Sequence, residues 1–527
     1  MNAMGRDRTR WVRVACGLAA LACSAVLMAA CGGSSDSAST AAGDGAKSTA
    51  SAKTVTMANP FEQTGFDPIM AGPTNVDYMR PVYDTLVQST GPSSFGPGLA
   101  TSWSYDGKKA LLTLELRDGV EATDGEPLDA AAVVAHFERG MAEKASPWAS
   151  VFGVIDSVRA DGPLGVVIQL KESVPSIVDS LSGIPGMIES PKAARAGTLR
   201  RTPVGSGPWQ LDAGKTKPPS EFVYTKNADY WDPSVQLIDT LVLKVMPDTA
   251  ARVNALRDGQ LEATEITPKE IAPLEAQGFK TEDTDQLLWV GAVIDREGKL
   301  VPALADPRVR RALILGIDRE AILTSMLGGH GEPSASVYPK GVEGHSPGLD
   351  EELAYDPVEA KRLLEEAGFG DGFSFSFYST TANQHVAAPM AGQWQKLGVR
   401  AKLTVVDQAT WQTKLAAREL PVVSFAFPMQ PPFALYRSYA SPGGIYNPFS
   451  VTSETVDRAA RELAGLTAKD ADRTEEVSGD LMKAMVEDGI IIPVAASGLP
   501  TAMVKGMTGD FDHYSSILPE PRGLAVR

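Results

Sequence analysis

The chain has 527 residues, 43% hydrophobic and 22% charged, with a formal net charge of −16. That length holds two or three globular domains with a sizeable core, and an acidic balance without a basic stripe or arm excludes nucleic acid as a partner. All three cysteines, Cys16, Cys23 and Cys31, precede residue 32, so the body has no structural disulfide, cysteine zinc site or cysteine nucleophile.

The amino terminus carries Arg6, Arg8, Arg10 and Arg13 against Asp7, and residues 14–30 are then uncharged. A positive segment followed by an apolar one has the form of a secretory signal peptide. The apolar run is shorter than the roughly 20 residues that span a bilayer, although a retained anchor helix is the competing reading. The run ends Leu27-Met28-Ala29-Ala30-Cys31. Small residues before a cysteine resemble the lipobox of bacterial lipoprotein signal peptides, with Met28 where leucine is usual. The resemblance implies cleavage after Ala30 and acylation of Cys31, with Cys23 a poorer candidate. Residues 1–30 are then a signal peptide and 31–53 a tether. The stretch GGSSDSASTAAGDGAKSTASAK is rich in Gly, Ser and Ala, and such a linker reaches about 25 Å. No later apolar run approaches the length of a membrane span.

From Thr54 the chain reads as a strand, TVTMAN, followed by a turn-rich loop. Leu112, Leu114 and Leu116 alternate with Thr113, Glu115 and Arg117, the pattern of a half-buried strand. Asp129 precedes a helical face of Val133, Val134, Phe137 and Met141. Thr267-Pro268, Asp306-Pro307 and Asp356-Pro357 each place a capping oxygen before a proline at the first helical position. Gly278, Gly328 and Gly368 stand where those helical stretches end. Strands and helices mix along the whole chain, so the class is α/β or α+β.

Catalytic motifs are weak. GHSPG at 344–348 satisfies G-x-S-x-G, but the residue after the serine must donate its amide to an oxyanion, and Pro347 has none. His136, His330, His345, His385 and His513 are scattered without metal-ligand spacing. No phosphate loop, dinucleotide fingerprint or EF-hand loop is present, so the expectation is no cofactor, no metal and no enzyme activity.

Six segments in order carry a family resemblance. They are 95–140, PVGSGPWQL (203–211), NADYWD (227–232), 306–329, YDPVEAKRLLEEAGF (355–369) and QKLGVRAKLTVVDQATW (395–411). They resemble the family 5 extracellular solute-binding proteins, the dipeptide-, oligopeptide- and nickel-binding receptors of ABC importers. The resemblance implies an α/β, two-lobed, type II periplasmic-binding-protein (Venus-flytrap) fold with an extra subdomain in the N-terminal lobe. Lobe I is expected over 54–288, including the subdomain at about 86–198. Lobe II with the hinge strands is expected over 289–491, and 492–527 returns to lobe I. The apolar stretches QLLWVGAVID (286–295) and GIIIPVAAS (489–497) are the expected crossovers.

The resemblance also locates a ligand site. Peptide receptors of the family often hold the ligand's ammonium with an aspartate in a loop whose counterpart here is 421–450. That segment has no Asp or Glu, and Arg437 is its only charge. A buried ammonium would lack its strongest partner there, unless Glu62 supplies it. Aromatic residues replace the acid. Phe425 and Phe427 alternate and share a face, and Phe433, Tyr436, Tyr439, Tyr446 and Phe449 follow. The expected ligand-binding set is therefore Glu62, Asn383, Trp411, Arg418, Phe425, Phe427, Tyr436 and Asn447, in an aromatic, acid-free cleft. The function implied is a lipid-anchored monomer on the outer face of the cell membrane. It would capture a peptide or peptide-like or aromatic small molecule and deliver it to an ABC permease. The alternatives are a secreted hydrolase that reuses the fold and a ligand-sensing lipoprotein.

Overall fold

The computed structural model describes residues 53–526 apart from 92–93, 283–286, 382, 467–469 and 511–517. The predicted signal peptide, Cys31 and the tether up to residue 52 lie outside the described residues.

Two mixed sheets dominate. The first has the strand order Lys280–Glu282, Thr501–Met503, Ala263–Glu265, Thr54–Asn59, Thr240–Val245, Glu221–Lys226, Trp209–Leu211. Thr54–Asn59 sits inside it, parallel to both neighbours, with Val55 and Met57 buried. The second sheet has the order Glu332–Pro333, Ile491–Ser497, Leu287–Val293, Val422–Pro428, Ser374–Thr380, Arg400–Val406. The chain leaves the first sheet after Glu282 and enters the second at Leu287; it leaves the second at Ser497 and rejoins the first at Thr501. The strands at the second-sheet end of these passages, Leu287–Val293 and Ile491–Ser497, lie in the stretches read as crossovers, stay within the second sheet up to Ser497 rather than returning to the first lobe at 492, and pair antiparallel. Their near-continuous apolar sequence matches their burial on both faces. Trp289 Nε1 donates to Ser497 Oγ at 2.7 Å across the pair.

A third, four-stranded sheet of Ala100–Asp106, Leu111–Leu116, Gly165–Leu170 and Ile155–Asp161 is an excursion from the first lobe. Leu112, Leu114 and Leu116 are buried in it, as their alternation predicts. The helix Ala130–Ala142 packs on this sheet, capped by Asp129, whose carboxylate accepts from the amides of Ala131 and Ala132. The apolar cluster of this subdomain runs on into the second lobe, whereas the first lobe has two cores of its own.

The proline-led helices start where the caps place them, at Pro268, Pro307 and Pro357. One stretch differs. Residues 306–329 form two helices, Pro307–Leu315 and Arg319–Leu327, with Asp318 capping the second. Gly316 sits at the break, where a Cβ would meet Leu397 Cδ1 at 2.5 Å. The glycine permits this close approach, and the polar cap after it starts a new helix.

His136, one of five histidines scattered along the sequence, belongs to a buried charge network that seats the subdomain on the first lobe. Its Nδ1 lies 2.7 Å from Glu189 Oε2, and its Nε2 lies 2.9 Å from the Pro185 carbonyl. Arg139, one turn further along the same helix, grips both oxygens of Asp67 at 2.8 Å and also reaches Glu189 Oε1 at 2.6 Å. Burial alone would raise Glu189, but the charges and hydrogen bonds of His136 and Arg139 outweigh it and hold the carboxyl at about 2. A value below the ordinary carboxylate range means stabilisation that is complete above about pH 4.5 and lost as pH falls through 2. Glu189 alone is expected to contribute a drop of about 3 kcal/mol in unfolding free energy over that window. Denaturant titrations of Glu189→Gln should show a distinctly shallower fall; an unchanged slope would remove the network from the acid response.

Candidate ligand-binding site

A cavity of about 790 Å³ lies between the subdomain side of the first lobe and the segment that follows strand Val422–Pro428 in the second. The first wall includes Val76, Arg80, Trp148, Ile177 and Asp179. The second includes Met429, Gln430, Arg437, Ser438 and Ile445. A cavity of this size, lined largely by apolar groups with a few placed polar ones, suits a small organic solute.

The first wall is held from behind. Trp148 Nε1 donates to the Ala71 carbonyl at 2.8 Å, and Ser146 Oγ donates to the Ile69 carbonyl at 2.6 Å. Pro185, which carries the carbonyl facing His136, also lines the cavity, so the buried network supports this wall. The second wall is shaped by Pro431 and Pro432, which start the helix Pro432–Tyr439 directly after the strand. Tyr338 Oη donates to the Gln430 carbonyl at 2.5 Å and fixes the turn.

Three charged residues line the cavity: Arg80, Asp179 and Arg437. Both arginines are engaged. Arg80 pairs with Glu520 at 3.1 Å, and Arg437 pairs with Glu172 of the subdomain at 2.7 Å. The second pair bridges the two walls, as does the hydrogen bond from Ser173 Oγ to the Ala464 carbonyl. Among the described residues no hydrogen bond or ion pair reaches the Asp179 carboxyl. Burial pushes that carboxyl up to about 7, and the negative charge of Glu343 adds to the effect.

None of the eight expected site residues lines this cavity. Chain neighbours of three of them, Pro428, Arg437 and Ile445, do. Phe425 and Phe427 share a face, with ring centroids 5.7 Å apart, but they point into the second lobe at 6% and 8% exposure. There Phe425 stacks on Tyr446 at 5.0 Å, Tyr446 stacks on Tyr439 at 4.6 Å, and Trp411, 2% exposed, meets Phe425 edge-on at 5.9 Å. Tyr436 is half-buried, and its hydroxyl donates to Asp457 at 3.0 Å. Asn447 is fully buried; its amide donates to the carbonyls of Ala440, Ser441 and Val451 and accepts from the Val451 amide. Asn383 accepts from the Ala426 amide at 3.3 Å and donates to Thr380 Oγ1 at 2.9 Å. Arg418 is exposed just past the helix Gln408–Ala416, in a left-handed conformation with φ 61°. Glu62 is exposed, near Tyr78.

The cavity differs from the expected aromatic, acid-free cleft in two respects. The rings stack on one another inside the second lobe, and an acid enters from the opposite wall. Asp179 had a legible signal: it is the only charge between Glu172 and Glu189. A lone acid in a run of apolar and small residues is a group the fold has little other use for.

The sequence model of the bacterial extracellular solute-binding proteins, family 5 Middle, matches residues 94–447. The chain belongs to this family. Glutathione-binding protein GsiB of Escherichia coli (strain K12) is 27% identical to this family 5 protein over 320 residues, 59% of this chain and 60% of GsiB. The alignment thus spans under two thirds of that relative's length. The structure of HbpA2 from Haemophilus parasuis superposes with a TM-score of 0.76 at 20% identity, covering 90% of this chain and 100% of HbpA2. Periplasmic binding protein DppA from Helicobacter pylori, solved with peptide STSA, gives 0.75 at 20% identity, covering 90% and 98%. At these identities the likeness is one of fold, and it places this family 5 protein among two-lobed type II periplasmic binding proteins.

The state of Asp179 has a consequence for the empty protein. A folded-state value of about 7, above the ordinary 3.8, means that the fold favours the protonated form. Stability therefore declines as pH rises between those values. Solute-free Asp179→Asn is expected to melt at least about 2 °C above wild type at pH 8 and level with it at pH 4. Scanning calorimetry at the two pH values checks this; a variant that melts lower at pH 8 would mean that the carboxylate has a stabilising partner.

Proposed function

We propose that the chain is the substrate-binding component of an ABC importer, held on the outer face of the cell membrane by a lipid on Cys31. It works as a monomer, captures a peptide or peptide-like solute and presents it to a permease. It makes and breaks no covalent bond. The observation that carries this reading is the cavity of about 790 Å³, which draws one wall from each lobe. A solute that touches both walls binds the closed state better than the open one, and only such a differential shifts the equilibrium. The two crossover strands are the natural hinge for that motion. The names of two similar proteins support the solute class: GsiB is a glutathione-binding protein, and DppA holds the peptide STSA. Trp411, Phe425, Phe427 and Asn447 act here as the rigid backing of the second wall.

The hydrolase reading finds no support. Ser346 of the GHSPG segment is buried in a loop, and its amide is engaged by Ser336 Oγ at 2.5 Å. No helix among the described residues is long and apolar enough to cross a membrane.

Native mass spectrometry of protein purified from its own host tests the main claim: a single small solute should be carried at one per chain, and deletion should abolish its uptake. A covalently altered product released over many turnovers would overturn it. Cys31→Ser is expected to shift the protein from the membrane to the soluble fraction on fractionation, whereas continued retention would favour an uncleaved anchor helix. The Glu172–Arg437 bridge spans the closed walls, but both partners are partly exposed and such pairs contribute up to about 1 kcal/mol. Glu172→Ala should therefore weaken solute affinity by no more than about fivefold in calorimetry. A loss of a hundredfold or more would make the bridge a principal holder of the closed state.

A further inference from the structure

We propose that Asp179 is the anchor for a primary ammonium group on the solute, so that the cavity selects amine-bearing ligands through the subdomain wall. This rests on the solute-binding reading above and adds the chemical class of the ligand and the residue that recognises it.

Three observations converge. Asp179 is the one acidic residue lining the cavity, and the two cations that share the lining are committed to Glu520 and Glu172. The hydrogen bonds made around it leave its carboxyl unused: Ser182 Oγ donates to the Asp179 backbone carbonyl at 2.8 Å, not to the side chain. Its neighbours Ile177 and Val178 are buried apolar residues. An acid in such a place, without a partner, destabilises the empty protein, and a cation entering the cavity removes that penalty.

The second lobe sharpens the argument. Glu343, held by Ser478 Oγ at 2.7 Å, acts on Asp179 with like charge. Asp179 belongs to the first wall and Glu343 to the second lobe, so closure brings two negative charges toward one another. An ammonium at Asp179 offsets that repulsion. It therefore favours the closed state over the open one, which is the differential that ligand-driven closure requires. A neutral solute of the same shape lacks this term. An ammonium fits better than a metal ion, because no group of three or more metal-ligating side chains occurs among the described residues.

The test uses full-length mature protein, stripped of carried solute by unfolding and refolding. Native mass spectrometry reads retention of three probes: lysine- and arginine-free tetrapeptides with free amino termini, the same pool N-acetylated, and putrescine. The solute carried from the host is identified in parallel. The expected result is retention of the free-amine peptides or of putrescine but not of the acetylated pool. Whichever is retained assigns the ammonium to a peptide terminus or to a polyamine. Asp179→Asn should lower that retention at least tenfold while melting no lower than wild type, and Asp179→Ser should lower it likewise. Equal retention of the acetylated pool, undiminished retention by Asp179→Asn, or a host solute without a basic nitrogen would each overturn the anchor while leaving solute capture standing. No retention of any probe and no host solute would overturn both.

Discussion

The antiparallel pairing of Leu287–Val293 with Ile491–Ser497 is the constraint on which the rest of the molecule depends. These two strands sit side by side in the second sheet, and each continues within a few residues into the first. The chain therefore passes between the two sheets twice at one place. Both strands are buried almost throughout. Solute capture as proposed requires a hinge at this strand pair, between the two cavity walls.

The chemistry of the cavity follows from how each wall is built. The second wall is the outer side of an aromatic stack. Phe425, Tyr439, Tyr446 and Trp411 fill the interior behind it, and prolines, glycines and serines from the same segment face the solute. The first wall rests on the buried pairing of Glu189 with His136 and Arg139. That network is fully satisfied, and satisfied buried charge gives a fixed surface. Asp179 is the contrast. It is an acid without a partner in a wall otherwise well supported, and the simplest account of such a residue is that its partner arrives with the ligand.

Much of this architecture was legible in the sequence. The alternation of Leu112, Leu114 and Leu116, the caps before Pro268, Pro307 and Pro357, and the apolar crossovers depend on local periodicity and backbone chemistry, and each appears where that chemistry puts it. The break at Gly316 has a local signal that the reading passed over, the cap Asp318 two residues on. The site was hidden for a different reason. Periodicity places Phe425 and Phe427 on one face of a strand, but whether that face meets core or cavity is decided by the helix Pro432–Tyr439 folding back over it. Family likeness pointed to the segment 421–450; part of that segment lines the cavity, while Phe425 and Phe427 lie behind it. The acid was sought within that segment, while the fold supplies one from a subdomain some 250 residues earlier in the chain.

The account's central claim is that the solute is held between two walls, with its cationic group at Asp179. A crystal structure of the protein with the solute it carries from its host tests this most directly. The account predicts density inside the cavity of about 790 Å³, touching residues of both walls, with a nitrogen about 3 Å from the Asp179 carboxyl. Density confined to one lobe, or a solute in the cavity that turns an uncharged face toward Asp179, would contradict it.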